Sequence, residues 1–254
     1  MYRHFVVWIV GLSTIGVMAQ DLNSALLKPK MWGVGVNARH FGYDLGVLLQ
    51  RPNARLGDHR KGLFASNLLP FRTAGFWLGP MKDPREVKVV NERLPGSKPF
   101  VIEKVTHNLM FKYQVGRSFS VSERTSRSEL GLRINASLQL PLNYSWPIYV
   151  WLYQPATFTD GYVSVEYNPA IHDVGLLGGN VGYFKGFSQG RVTPGVGGSV
   201  SMQAEWGSYK NVSNSLSLGV GVDRFVKDLP FWHRTEMNRN FFPTVFVTFA
   251  VGFL

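Results

Sequence analysis

Beyond residue 30 the dominant pattern along the chain is strict alternation of apolar and small or polar positions, the period of a β-strand. Over 130–142, Leu130, Leu132, Ile134, Ala136, Leu138, Leu140 and Leu142 share one face, and Gly131, Arg133, Asn135, Ser137, Gln139 and Pro141 share the other. Over 195–207, Val196, Val200, Met202, Ala204 and Trp206 oppose Gly195, Gly197, Ser199, Ser201, Gln203, Glu205 and Gly207. Over 212–224, Val212, Leu216, Leu218, Val220 and Val222 oppose Ser213, Ser215, Ser217, Gly219, Gly221 and Asp223. Segment 109–116 repeats the pattern, with Leu109, Phe111, Tyr113 and Val115 against Met110, Lys112, Gln114 and Gly116.

These segments are long. A tilted strand needs about 9–11 residues to cross a bilayer, whereas strands of soluble domains typically run about 5–6. A soluble sandwich would place Lys, Glu and Thr on its outer face. Here the polar face is mostly Gly, Ser, Asn and Gln, which suits the crowded interior of a narrow barrel. The pattern therefore predicts an all-β fold, a closed antiparallel transmembrane β-barrel. Its expected strands are 31–39, 42–51, 61–70, 104–116, 129–142, 145–154, 161–167, 195–208, 212–226 and 242–254, about ten in all, with eight to twelve compatible. An even number returns both chain ends to one side. Long outer loops then fall at 71–103, 168–194 and 227–241, and inner turns at 52–60, 117–128, 155–160 and 209–211.

Composition agrees. Charged residues make up 17% of the chain and aromatics 14%, against roughly 25% charged in an ordinary soluble domain. Trp32, Tyr43, Tyr144, Trp146, Tyr149, Trp151, Tyr153, Trp206 and Tyr209 stand near expected strand ends, where membrane barrels carry aromatic girdles. The opening segment combines Arg3, an apolar stretch over Phe5–Val17 and Val17-Met18-Ala19, the layout of a secretory signal cleaved after Ala19. Residues 20–254 are then expected to form a single outer-membrane barrel domain. At the other end Val245, Val247, Phe249, Val251 and Phe253 form one apolar face running to Leu254. The stretch Phe249, Val251, Phe253 and Leu254 resembles the terminal signal that outer-membrane barrels present to their assembly machinery, although no aromatic stands last.

The same alternation aims Arg39, Asp44, Lys112, Arg133, Glu205 and Asp223 into the lumen. Charges of both signs in a narrow interior should pair, because unpaired burial costs several kcal/mol. A plugged barrel with an internal ion-pair network is expected.

Catalytic chemistry is not evident. With no cysteine in the chain, disulfides, thiolate metal sites and Cys nucleophiles are excluded. Phosphate-loop, HExxH and GxSxG patterns are absent. Six histidines, His4, His40, His59, His107, His172 and His233, show no metal-ligand spacing. His172-Asp173 is the only His–acid neighbour pair in an expected outer loop, with Asp58-His59 on the inner side. No enzyme activity, cofactor, metal or nucleic-acid partner is expected. Loop 71–103 does mix Arg72, Lys82, Arg85, Lys88, Arg93 and Lys98 with Phe71, Phe76, Trp77, Leu78, Met81, Val87, Val89 and Val90. Loop 227–241 adds Lys227, Arg234 and Arg239. Phe76, Trp77, Arg85, Lys88 and Arg234 are the expected contacts for another outer-membrane protein or for lipopolysaccharide phosphates.

The segment Trp32–Gln50 with a hairpin about His40–Gly42, the run Pro84–Val89, and Phe184–Phe187 near Pro194-Gly195, taken with the signal and last strand, resemble small Bacteroidota-type outer-membrane barrel proteins. The resemblance spans most of 31–254 and contains no catalytic motif. It implies a non-enzymatic component. Some such barrels serve as accessory subunits of outer-membrane assembly or secretion machines. A small-solute channel is the competing expectation, and a barrel enzyme a third.

Overall fold

The computed structural model describes residues 31–39, 41–52, 71–94, 96–122, 130–154, 161–209 and 212–253. The expected signal segment 1–19, the expected strand 61–70, Asp58-His59 and Leu254 lie outside the described residues. In chain order the strands are β1 (Met31–Arg39), β2 (Gly42–Pro52), β3 (Phe71–Pro80), β4 (Lys88–Val89), β5 (Phe100–Val101), β6 (Thr106–Ser122), β7 (Gly131–Pro147), β8 (Tyr149–Gln154), β9 (Gly161–Glu166), β10 (Leu177–Asn180), β11 (Arg191–Tyr209), β12 (Val212–Leu229) and β13 (Arg239–Phe253). Eight of them close an antiparallel barrel in the order β1-β13-β12-β11-β7-β6-β3-β2. No described helix is long and apolar enough to cross a membrane; the strands do so instead.

The wall has inverted polarity. Leu45, Leu138, Leu218 and Val220 face outward and are each more than half exposed, while Asn143, Ser118, Asp44 and Asp223 inside are almost fully buried. The alternation in the sequence sets this, because successive side chains in a strand point to opposite faces. Closure by β1 on β13, with Trp32 opposite Phe253 and Arg39 opposite Phe246, leaves no wall edge unpaired. In β13, Val245, Val247 and Phe249 lie outward, as their alternation implies.

Eight strands build the wall rather than ten. The third wall strand is Phe71–Pro80, so 71–80 is not part of an outer loop. Trp77 disguised it. Its indole points inward, only 4% exposed, over Gly46, where a Cβ would fall 2.4 Å from the ring. A large aromatic on the lumen face is out of character for a barrel strand, and here a glycine across the ladder makes the room. The expected strands 129–142 and 145–154 do not both belong to the wall either. Residues 131–147 form one continuous strand, in which Pro141 interrupts the β7–β11 ladder without shifting its register. The chain then leaves the barrel after Pro147, with Ile148 N–H donating to Val105 O at 2.9 Å.

β8, β9 and β10 form a separate sheet in the order β10-β8-β9, and β4 pairs with β5. Segment 161–166 is thus a strand of this cap rather than of the wall, and the expected turn 155–160 lies outside the described residues. Phe100, Ile148, Val150, Tyr167 and Leu177 make the cap's own core. The capped end carries the connections 81–105, 148–190 and 230–238, opposite the end where β1 begins and β13 finishes. Long connections lie outside and short turns in the periplasm in bacterial barrels, so the cap faces outward.

A Leu138→Arg or Leu218→Arg change puts a charge on the lipid face and should destabilise the barrel by about 2–4 kcal/mol. Urea titration of the protein folded into vesicles measures it; a loss under about 0.5 kcal/mol at both sites would show that this face is not in lipid.

Candidate functional site

The six lumen residues named above are all buried, and the structure joins them in three pairs. Arg39 and Asp44 are hydrogen-bonded across the β1–β2 hairpin. Lys112 Nζ meets Asp223 Oδ2 at 2.6 Å, and Arg133 Nη2 meets Glu205 Oε2 at 3.2 Å. The first two pairs lie close enough to act as one four-charge cluster. Gly197 stands beside Asp223, where a Cβ would come within 2.3 Å of Oδ1. Below them, Asn135 donates to Gln203, Gln203 to Glu205 and Gln139 to Ser199 at 2.7–3.0 Å. The void left in this lumen is about 70 Å³, room for a water or two and not for a solute path.

An aromatic layer closes the outer mouth. Phe41, Met81, Met110, Phe225, Leu229, Phe231, Trp232 and Phe242 pack as one core across the barrel top. Asp83 pins the connections above it. Its carboxylate accepts from Arg85 Nε and Nη2 at 2.9 and 2.8 Å, from Trp232 Nε1 at 3.4 Å and from Arg239 Nη2 at 3.3 Å. Burial alone would raise the Asp83 pKa, yet the hydrogen bonds from Arg85 and Trp232 outweigh it and hold the carboxyl at about 2. Asn91 ties the first long connection to the second, donating from Nδ2 to Gly175 O at 2.9 Å and Leu177 O at 3.1 Å. Val105 N–H donates to Phe231 O at 3.0 Å and binds the third.

Between cap and rim lies a cavity of about 510 Å³. Phe100, Ile148, Val150 and Tyr167 give it an apolar wall, and Lys82, Lys88, Lys104 and Glu86 line it as well. Lys104 Nζ holds Glu86 Oε1 at 2.6 Å, and both side chains are largely buried. Burial pulls the Lys104 pKa down despite that partner. His107, 8% exposed, sits between Trp146 and Tyr183, tilted against both rings at centroid distances of 5.6 and 4.6 Å. Its Nε2 is buried with no hydrogen-bond partner.

The expected docking residues are dispersed. Phe76 lies on the lipid-facing wall beside Phe111 and Tyr113, and Trp77 is in the lumen, so neither belongs to an outer loop. Arg85, Lys88 and Arg234 are in the cap; Arg85 is held by Asp83 and Arg234 by Glu103 at 2.9 Å. Of the girdle aromatics, Trp32, Trp206 and Tyr43 are exposed on the wall, whereas Trp146 is fully buried against the cap. His172 and Asp173 structure their own turn: Nδ1 of His172 accepts from Asn168 N–H, and Asp173 caps the next turn through Gly175 N–H at 2.8 Å. No cluster of three metal-binding side chains occurs among the described residues. His107, Lys104 and Asp83 went unrecognised in the sequence. The one available signal was that His107 shares the alternation of Leu109 and Phe111.

A closed eight-stranded wall, apolar without and polar within, leaves one assignment. This is an integral outer-membrane β-barrel. Neither a protein-family model nor a curated protein matches the chain. Among solved structures it is similar to Neisserial surface protein A (NspA), at 8% identity and TM-score 0.35, over 88% of this chain and 93% of that one. It is also similar to a major outer membrane protein from Thermus thermophilus, at 8% identity and TM-score 0.42, over 89% and 99%.

Two consequences follow from the buried charges. Asp223→Ala strands the Lys112 ammonium in the lumen and should cost about 3–5 kcal/mol, whereas the double change to Asp223→Ala with Lys112→Met should recover much of it; equal losses would mean that the pair is not coupled. The depressed Asp83 pKa contributes stability that is complete above the ordinary value of 3.8 and lost as pH falls toward 2. Its size is about 2 kcal/mol. Protease sensitivity of the cap should therefore rise between pH 4 and 2 in the wild type. In Asp83→Asn the cap should be sensitive throughout; a steep acid step retained in that variant would place the titrating group elsewhere.

Proposed function

We propose that the chain is a non-enzymatic, non-conducting outer-membrane barrel that serves as an accessory subunit of a larger outer-membrane protein assembly or secretion complex, of the Bacteroidota kind its sequence resembles. The sealed lumen carries the reading. Three ion pairs, an amide layer and an aromatic lid fill the path that a small-solute channel needs open. What remains available for function is the wall and the cap.

The cap supports a docking role. It is laced together across three connections rather than left as loose loops, yet Val87, Val90, Ile171 and Val174 stay exposed on it, Val87 and Ile171 at 70% or more. Asn91 brings the segments of Val90 and Val174 together. Apolar groups clustered on an ordered outer surface are a mark of a protein contact. Lys88, Arg93 and Lys98 beside them would meet lipopolysaccharide phosphates at the membrane surface.

Planar-bilayer recording of the purified protein should give no stable conductance; a large open pore would favour the channel. In parallel, Val90→Asp with Ile171→Asp should leave the barrel folded, shown by heat-modifiable gel mobility, but lower the yield of co-purifying outer-membrane proteins at least about tenfold in mild detergent, the effect of losing roughly 1.4 kcal/mol or more of apolar contact. Unchanged recovery of the same proteins would exclude this face, and no partner with the intact protein would exclude the accessory role.

A further inference from the structure

The cavity between cap and rim has features that docking does not explain. We propose that it is a binding site for an acidic single-chain amphiphile, with the apolar tail in the cavity and the anionic head at its lysines. The inference is independent of the docking role.

The volume comes first. About 510 Å³ lies within the range of sites that hold small molecules, and it is several times larger than the lumen void. One wall is apolar, with Ile148 just before β8 and Val150 within it, and Phe100 and Tyr167 packed around them. A tail is what such a wall takes from water or lipid.

The polar side of the cavity is lopsided. Lys104 is spent on Glu86, but Lys82 and Lys88 line the same space with no carboxylate partner among the described residues. Lys82 also lies near enough to Lys104 for their charges to repel. Three lysines against one carboxylate leave an excess of positive charge facing a partly closed apolar space, an arrangement that an anionic head relieves. His107 adds the second indication. His107 lines the cavity, its ring is held between Trp146 and Tyr183, and its Nε2 is buried with no hydrogen-bond partner. A buried polar nitrogen without a partner costs about 1–3 kcal/mol, and a head-group oxygen would satisfy it.

The mouth sets the route of entry. Tyr43 and Leu109 line the cavity and also stand on the outward face near the capped ends of β2 and β6, Leu109 one outward position in from His107. The opening therefore sits at the rim of the wall, level with the outer membrane surface, where an amphiphile can enter head-up from the bilayer.

The test uses the full-length protein in phosphatidylcholine nanodiscs with isotope-labelled histidine, the His107 signal being the one missing in His107→Phe. Dodecyl phosphate should shift that signal saturably. Dodecyl maltoside, with the same tail and a neutral head, should not, and inorganic phosphate alone should need at least about tenfold higher concentration. Lys82→Gln with Lys88→Gln, both on exposed side chains, should weaken dodecyl phosphate binding about tenfold or more, and Leu109→Trp at the mouth should block it. An equal response to the maltoside, or undiminished binding in the double lysine variant, overturns the anionic head. Inorganic phosphate binding as tightly as the amphiphile overturns the tail and leaves a free-anion site. Binding unaffected by Leu109→Trp overturns the location.

Discussion

A backbone that crosses lipid has no water to satisfy its N–H and C=O groups, so every one must find a partner within the protein. Closure of β1 on β13 meets that demand with the smallest common wall, eight strands. Much else in the molecule is a consequence. A wall that small has a lumen only as wide as its own side chains, so the inward positions cannot be left to solvent. Each inward side chain must fit against those of the strands opposite and, if polar, must pair with them.

That pressure explains the lumen's composition. Among the described residues, buried acids and bases occupy it as partners, Arg39 with Asp44, Lys112 with Asp223 and Arg133 with Glu205. Glycines stand where larger lumen side chains need the space: at Gly46 under Trp77 and Gly197 beside Asp223 any Cβ would collide. Such buried pairs are weak contributors to stability, since desolvation offsets most of their attraction. Their effect is on specificity. Breaking one is costly, so a register slip that moves any of these residues to the lipid face is strongly disfavoured.

How far the sequence revealed this follows from the same physics. Where small polar residues faced inward and aliphatics outward, as in 130–142 and 212–224, the period was plain and the strands were correctly placed. The six lumen charges were recognisable by alternation alone; their pairing was not, because Lys112 and Asp223 are 111 residues apart and meet only through the ladder order. The pattern failed where a residue broke the polarity rule with help from elsewhere. Trp77 on the lumen face hid β3, since the glycine that accommodates it is on another strand. β8 and β9 resemble wall strands because aromatic and β-branched residues fill them, Tyr149, Val150, Trp151 and Tyr153 in one and Tyr162, Val163 and Val165 in the other, a composition that any strand favours. Strand composition identifies a strand and does not say whether wall or cap receives it.

The cap is the part of the fold that the membrane does not require. An eight-stranded barrel closes with short turns, and here three connections instead build a sheet, a second core and a carboxylate hub at Asp83. Ordering that much chain costs about 1–2 kcal/mol per residue in backbone entropy alone, which a cap needed only as a plug would not have to meet, because the aromatic layer from Phe41 to Phe242 already seals the mouth. The additional structure above that layer leaves two things that a plug would lack. Apolar side chains such as Val87 and Ile171 remain exposed on its outside, and a basic, apolar cavity remains open beneath it. Both lie at the outer surface, on a scaffold that the barrel holds rigid from below. A passive plug predicts neither; a surface built to hold something predicts both.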